Sequence, residues 1–208
     1  MNTRSIVSIA LLGLVGAAGA ASGDVVFSDN FESGLGQWTG KNGGGHKGIL
    51  IADPLRDNNT VLGFSGLTSA GDLFMADPIL LDSGQNYRIS FEYLGLAQAK
   101  SDLFNTGGYV GFSVDTPGLH RWKWATGNVS GASDVLIDDG QWNAYEFDFN
   151  AADLGIGSSV RLMLEDFVGS KGRSDDAYFD NFRITTVPTP GAAVLLGMGG
   201  LLAIRRRR

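Results

Sequence analysis

The chain has 208 residues, a net charge of −6 and no cysteine, which removes disulfide frameworks, cysteine-ligated zinc and a cysteine nucleophile. Glycine, at 31 residues, is about twice as frequent as in an average globular protein, and charged residues make up only 18%, so neither a long-helix protein nor a charge-rich disordered chain fits. An isoelectric point near 4.8 offers no basic stripe for gripping nucleic acid.

Residues 1–21 open with a basic residue, Arg4, continue through an apolar stretch from Ile6 to Ala18, and leave through Ala18-Gly19-Ala20. That order of basic, apolar and small residues is a secretory signal peptide, with signal peptidase as its partner. Export is expected. Residues 22–187 follow as one domain's worth of chain. They hold all 22 acidic residues, 11 of the 16 basic ones and every aromatic, so the middle alone carries −11.

This middle reads as strands and turns. Short apolar runs at Val25–Phe27, Gly48–Ile51, Val61–Phe64 and Ile79–Leu81 are strand-like. Between Tyr87 and Tyr93 the odd positions are apolar and the even ones polar, the pattern of a half-buried strand. Val110, Phe112 and Val114 alternate likewise and are expected to face inward, as are Tyr145, Phe147 and Phe149. Val160, Leu162 and Leu164 alternate with Arg161, Met163 and Glu165, and Tyr178–Ile184 makes a closing strand. Turn formers separate them at Asp57-Asn58-Asn59, Asp82-Ser83-Gly84, Thr116-Pro117-Gly118 and Asp138-Asp139-Gly140. No stretch of the middle sustains a helical apolar period over three turns. About ten short strands predict an all-β, two-sheet antiparallel sandwich.

The last 21 residues, 188–208, form a separate segment. Pro188-Thr189-Pro190-Gly191 precedes an apolar run from Ala192 to Ile204 and four arginines, Arg205 to Arg208. A helix of that length, with a basic stop, engages a membrane transiently better than permanently. The tail resembles a PEP-CTERM protein-sorting signal, although that family has a glutamate between its two prolines. The resemblance implies an exosortase-like protease as a processing partner, and delivery to the cell envelope, cell surface or extracellular matrix.

Two further segments resemble jelly-roll carbohydrate-binding modules. Phe27-Ser28-Asp29-Asn30-Phe31-Glu32-Ser33-Gly34, with Trp38, is similar to their opening strand, and Ala177–Ile184 to their last. Gly140-Gln141-Trp142 matches a third pattern of the group. The resemblance implies a structural calcium where the first and last strands meet, held by Glu32, a residue near Asp53 or Asp57, and Asp180. Period two puts Asp180 on the face of Tyr178, Phe182 and Ile184, where a carboxylate needs a cation or several donors. The alternatives are that Arg56, Arg183 or backbone amides satisfy it, or that a bulge turns it outward.

Sugars stack their apolar C–H faces on aromatic rings. In a regular strand His120, Trp122 and Trp124 share one face, with the two indoles about 7 Å apart, as in a flat sugar platform. The same two rings serve equally as core. Tyr109, Arg88 and Glu92 lie on polar strand faces, either lining a groove or simply solvated, and complete the candidate carbohydrate site. Trp38 and Trp142 stand at positions suited to structure. Enzyme signatures are missing: no compact pair of catalytic carboxylates is recognisable, and only His46 and His120 offer a histidine base. Gly43–Gly48 satisfies a dinucleotide-loop pattern literally but leads into a strand-like run. The expected protein is an exported, calcium-stabilised sandwich that binds polysaccharide without catalysis. A structural or adhesive surface protein and a hydrolase with an unrecognised site are the alternatives.

Overall fold

The computed structural model describes residues 23–40, 43–65, 73–96, 106–114, 119–126, 134–168 and 177–188. The signal-like residues 1–21, Thr189-Pro190-Gly191 with the apolar segment after them, and Thr116-Pro117-Gly118 lie outside the described residues. Among the described residues no helix is long and apolar enough to cross a membrane.

Residues Gly23–Val187 form one compact unit. Its described strands are β1 (Val25–Asp29), β2 (Trp38–Thr39), β3 (Gly48–Ala52), β4 (Thr60–Phe64), β5 (Leu73–Met75), β6 (Ile79–Leu80) and β7 (Asn86–Gly95). They continue with β8 (Thr106–Ser113), β9 (His120–Thr126), β10 (Asp134–Leu136), β11 (Trp142–Asn150), β12 (Ser159–Val168) and β13 (Ala177–Val187). One helical turn, α1 (Ala151–Leu154), joins β11 to β12. Asn150 caps that turn by accepting from the Asp153 N–H, and Asp153 returns the bond to the Asn150 N–H.

The strands make two sheets. One has the order β11-β7-β13-β4-β3, with β1 also on β13; the other runs β10-β9-β8-β12-β5-β2, with β6 also on β12. The pairings are antiparallel except β9 with β10. The expected two-sheet sandwich is therefore present, with more strands than the sequence pattern suggests and one parallel pair. Gly48–Ala52 is indeed a strand, which disposes of a nucleotide loop before it.

Alternation decides what lies between the sheets. Ile89, Phe91 and Tyr93 of β7 meet Val110 and Phe112 of β8, and Val160, Leu162 and Leu164 of β12, in one buried cluster. Aromatic rings dominate it. Phe91 stacks on Phe182 at 5.0 Å and reaches Trp124 of the other sheet at 5.8 Å. Such ring pairs contribute about 0.5–1.5 kcal/mol each beyond the area they bury. Gly108 lets β8 sit directly on one of these rings, because a Cβ there would lie 2.3 Å from Tyr93 and 2.8 Å from Phe179.

The opening motif is architectural. Asp29 is buried and accepts from the Phe31 N–H at 2.8 Å and from Trp38 Nε1 at 2.7 Å. Those bonds tie the end of β1 to β2, while Phe31, fully buried, packs against Trp38 and Phe182. Phe31 has φ 59°, a left-handed conformation uncommon for a bulky residue, held here by the ring's burial.

Candidate functional site

Two strand irregularities set where the functional side chains go. On β9, Trp124 pairs with Val110 and Trp122 with Gly111, so the register skips one residue, Lys123. That extra residue reverses the parity between the two tryptophans. Trp124 turns inward, 3% exposed, and stacks on Phe147 at 4.8 Å. The Trp122 position pairs with Gly111, which faces away from the core between Val110 and Phe112; its side chain, like that of His120, lies outside the described part of the structure. A flat platform bearing Trp124 is thereby corrected: its indole is core.

The outer face of the seven-stranded sheet carries the candidate binding row. Tyr109 lies directly across from Glu165, and Gly111 across from Met163, on β8 and β12. Tyr109 and Glu165 are only 3% and 2% exposed, although both belong to the face turned away from the core. Burial pushes the Tyr109 phenol above its ordinary range, and the Glu165 charge pushes the same way. The phenol therefore stays a hydrogen-bond donor over the whole physiological range beside a carboxylate acceptor. Between the Trp122 position and Met163, Gly111 contributes no side chain, which leaves backbone at the middle of the face. Arg161, on the same face, is turned to the Met75 carbonyl at 2.8 Å and to the Ala76 carbonyl.

Arg88 and Glu92 belong to the other sheet. Arg88 pairs with Asp148 through two hydrogen bonds and with Glu146 at 2.7 Å, across β7 and β11. Glu92 receives Arg56 at both oxygens, at 2.7 and 3.0 Å, and Asn181 Nδ2 at 2.7 Å. The Arg56 hydrogen bonds hold the Glu92 carboxyl below its ordinary range. The five expected sugar contacts are thus not one site. Tyr109 and the Trp122 position share an outer face, Trp124 is inside, and Arg88 and Glu92 are committed to ion pairs on the opposite sheet.

The expected calcium ligands are also separated by function. On β13 the register shifts between Asp180 and Arg183, and Asn181 has φ 53°. This bulge puts Phe179 and Phe182 in the core together and sends Asp180 to the outer face opposite Glu92. The facing argument for Asp180 is therefore corrected. Asp180 is nonetheless 1% exposed; it accepts from Asn59 Nδ2 at 2.9 Å and from the Asn181 N–H at 2.7 Å. Asp53 accepts from the Leu55 and Arg56 N–H groups, from Asn59 Nδ2 and from Trp142 Nε1, all between 2.8 and 3.1 Å. Arg56 also stacks on Trp142, 4.5 Å from the ring centre. Glu32 accepts the Thr60 N–H at 2.8 Å.

Calcium needs six to eight oxygens. Asp53 already accepts from four donors, three of them at Oδ1, and no three His, Cys, Asp or Glu side chains among the described residues stand together as a metal site. Glu32, Asp53 and Asp180 do not fit calcium as one ligand set. Instead they knit the loop between β3 and β4 to the end of β1, to β11 and to β13, with Asn59 bridging Asp53 and Asp180.

Sequence reasoning passed over Glu165 and Gly111. Their parity was visible, since both alternate with inward residues, but only the register of β8 on β12 places Glu165 beside Tyr109.

No protein-family model matches the sequence, and no curated protein is significantly similar to it. Among solved structures the chain is similar to the CBM22-1 xylan-binding domain of Paenibacillus barcinonensis Xyn10C. The identity is 22% and the TM-score 0.50, over 82% of this chain and 99% of that one. It is also similar to the tandem CBM22-1–CBM22-2 domain of the same protein, at 23% identity and a TM-score of 0.50, over 82% of this chain and 47% of that one. At this identity the likeness is one of fold. The chain folds as a two-sheet jelly-roll sandwich, as that domain does.

Proposed function

We propose that the protein is an exported polysaccharide-binding protein without catalytic activity, and that the outer face of the seven-stranded sheet receives the glycan. The signal-like start and the sorting-like tail carry it to the cell surface or extracellular matrix. The observation that carries the binding reading is the Tyr109–Glu165 pair: a donor and an acceptor side by side across β8 and β12, on the side away from the main core yet almost fully buried. A hydroxyl-rich chain is recognised by just such fixed polar groups beside apolar surface. The fold likeness to a xylan-binding domain supports the same class of ligand.

Affinity electrophoresis of the full chain through gels containing xylan, β-glucan, mannan or galactan tests this. Retardation of the wild type, reduced about tenfold in apparent affinity by Glu165→Gln or Tyr109→Phe, is the expected result. Free migration through every gel returns the protein to the structural or adhesive reading. Release of reducing ends from any of these polysaccharides makes it a hydrolase.

A further inference from the structure

Strands at a sheet edge carry unpaired N–H and C=O groups, which proteins guard with charges, bulges or very short strands. Here β2, β6 and β10 have only two or three residues each. β1 has a register shift between Val25 and Phe27, and β11 carries Glu146 and Asp148. β3 has none of these devices. It ends the six-stranded sheet as Gly48-Ile49-Leu50-Ile51-Ala52, with no charge, no proline and an unbroken register on β4. Ile49 and Leu50 are 36% and 37% exposed.

The bonds to β4 show which backbone groups are open. The Ser65 N–H donates to the Lys47 carbonyl at 2.8 Å, and the Asp53 N–H to the Asn59 carbonyl at 2.9 Å. Odd residues therefore turn their backbone groups to β4, and Gly48, Leu50 and Ala52 turn theirs outward. His46 agrees with this direction, its Nδ1 lying 3.1 Å from the Gly48 carbonyl.

Antiparallel pairing about Leu50 matches the outward groups. Leu50 meets Leu50 of a second copy and Gly48 meets Ala52, every pair exchanging both N–H···O bonds. The Gly48 carbonyl has a second lone pair for this beside His46. A slip by two residues sets an outward residue against Pro54, which has no N–H, or against His46. The charges at the strand's ends fit as well. Lys47 of one copy stands level with Asp53 of the other, whereas parallel pairing sets like charges side by side.

We infer that β3 is a strand-addition edge for a second copy of this chain, joining two six-stranded sheets about a two-fold axis at Leu50. The pairing covers the exposed parts of Ile49 and Leu50. Five residues make a small contact, at the weak end of association. It stands whether or not glycan binds the other sheet, since the two surfaces share no residue.

Sedimentation velocity of the full chain, from about 10 µM to about 500 µM, brackets association of this strength. A rise toward the dimer with concentration is expected, weakened at least about tenfold by Ile49→Lys, which puts a guarding charge on the edge. Near-UV circular dichroism checks that the variant folds. The chain has no cysteine, so Leu50→Cys reads the register directly. Paired residues of this kind lie about 5.5 Å apart between Cα atoms, within disulfide reach. Under mild oxidation Leu50→Cys should cross-link faster than Leu80→Cys, whose site on β6 is 76% exposed. Absence of self-association overturns the inference, as does association that a folded Ile49→Lys leaves unchanged. Cross-linking no faster at position 50 than at position 80 overturns it too, and decides alone should Ile49→Lys not fold.

Discussion

Asp53 and Asp180 share one amide, Asn59 Nδ2, yet their carboxyls are driven in opposite directions. For Asp180 burial is the largest influence and raises the carboxyl above its ordinary range, against the hydrogen bonds of Asn59 and Asn181. For Asp53 burial pushes up as well, but four donors together outweigh it and hold the carboxyl low. The sign follows from proton linkage. Asp53 and Glu92 contribute stability that is present above their unfolded values, about 3.9 and 4.3, and is lost as pH falls through the folded ones. Asp180 does the reverse: its cost appears as pH rises from about 3.9 through its raised folded value. A carbon-detected titration of the side-chain carboxyls is expected to place Asp180 above an ordinary aspartate and Asp53 below. A titration that puts Asp180 lowest, and only when calcium is added, would give Asp180 back the metal role. Gly108 supplies a second check at this scale. A methyl group there meets the Tyr93 ring, so Gly108→Ala should destabilise by about 1–3 kcal/mol in urea denaturation. A neutral effect would mean that β8 does not press on that ring.

At the scale of elements, the bulges on β9 and β13 govern the outcome. A regular β9 would have put both indoles on one surface; Lys123 sends Trp124 inside. Trp124→Ala is therefore expected to cost about 3–5 kcal/mol of folding free energy, as removal of a large buried aromatic does. A cost below about 1 kcal/mol, typical of surface positions, would return Trp124 to the surface. Asn150→Ala should cost about 1 kcal/mol through the lost cap of α1. The long strands were legible because period two extends over many residues: Ile89, Phe91 and Tyr93, or Val160, Leu162 and Leu164, face the core as their pattern demands. Parity failed where one residue was inserted. Asn181 carried a signal, since asparagine takes left-handed φ more readily than most residues, whereas Lys123 carried none. β2, β5 and β10, two or three residues each, are too short for any period and exist by virtue of their partners. For the candidate site, Tyr109 could be singled out from its strand, but its partner Glu165 could not, because register between residues 56 positions apart leaves no local pattern.

At the scale of the whole molecule, the pairing of Arg56 and Arg88 with acidic neighbours leaves the proposed glycan contacts to hydrogen-bonding groups with no cationic side chain among them. Polysaccharide retention should then change less than about twofold between low salt and ~1 M sodium chloride, where exposed charge interactions are screened within roughly 3 Å. A steep fall with salt would point to a charged ligand instead. The two faces of the sandwich divide the labour: acidic and basic side chains lock the loop between β3 and β4 on one sheet, and the polar pair of Tyr109 and Glu165 marks the other. The most direct measurement is a backbone chemical-shift map of the full chain with an oligosaccharide from whichever polysaccharide retards it, xylan first. Saturable shifts centred on Tyr109, Gly111, Met163 and Glu165 are predicted. Shifts centred on Arg88 and Glu92, or none that saturate, would contradict the assignment of the glycan to the seven-stranded sheet.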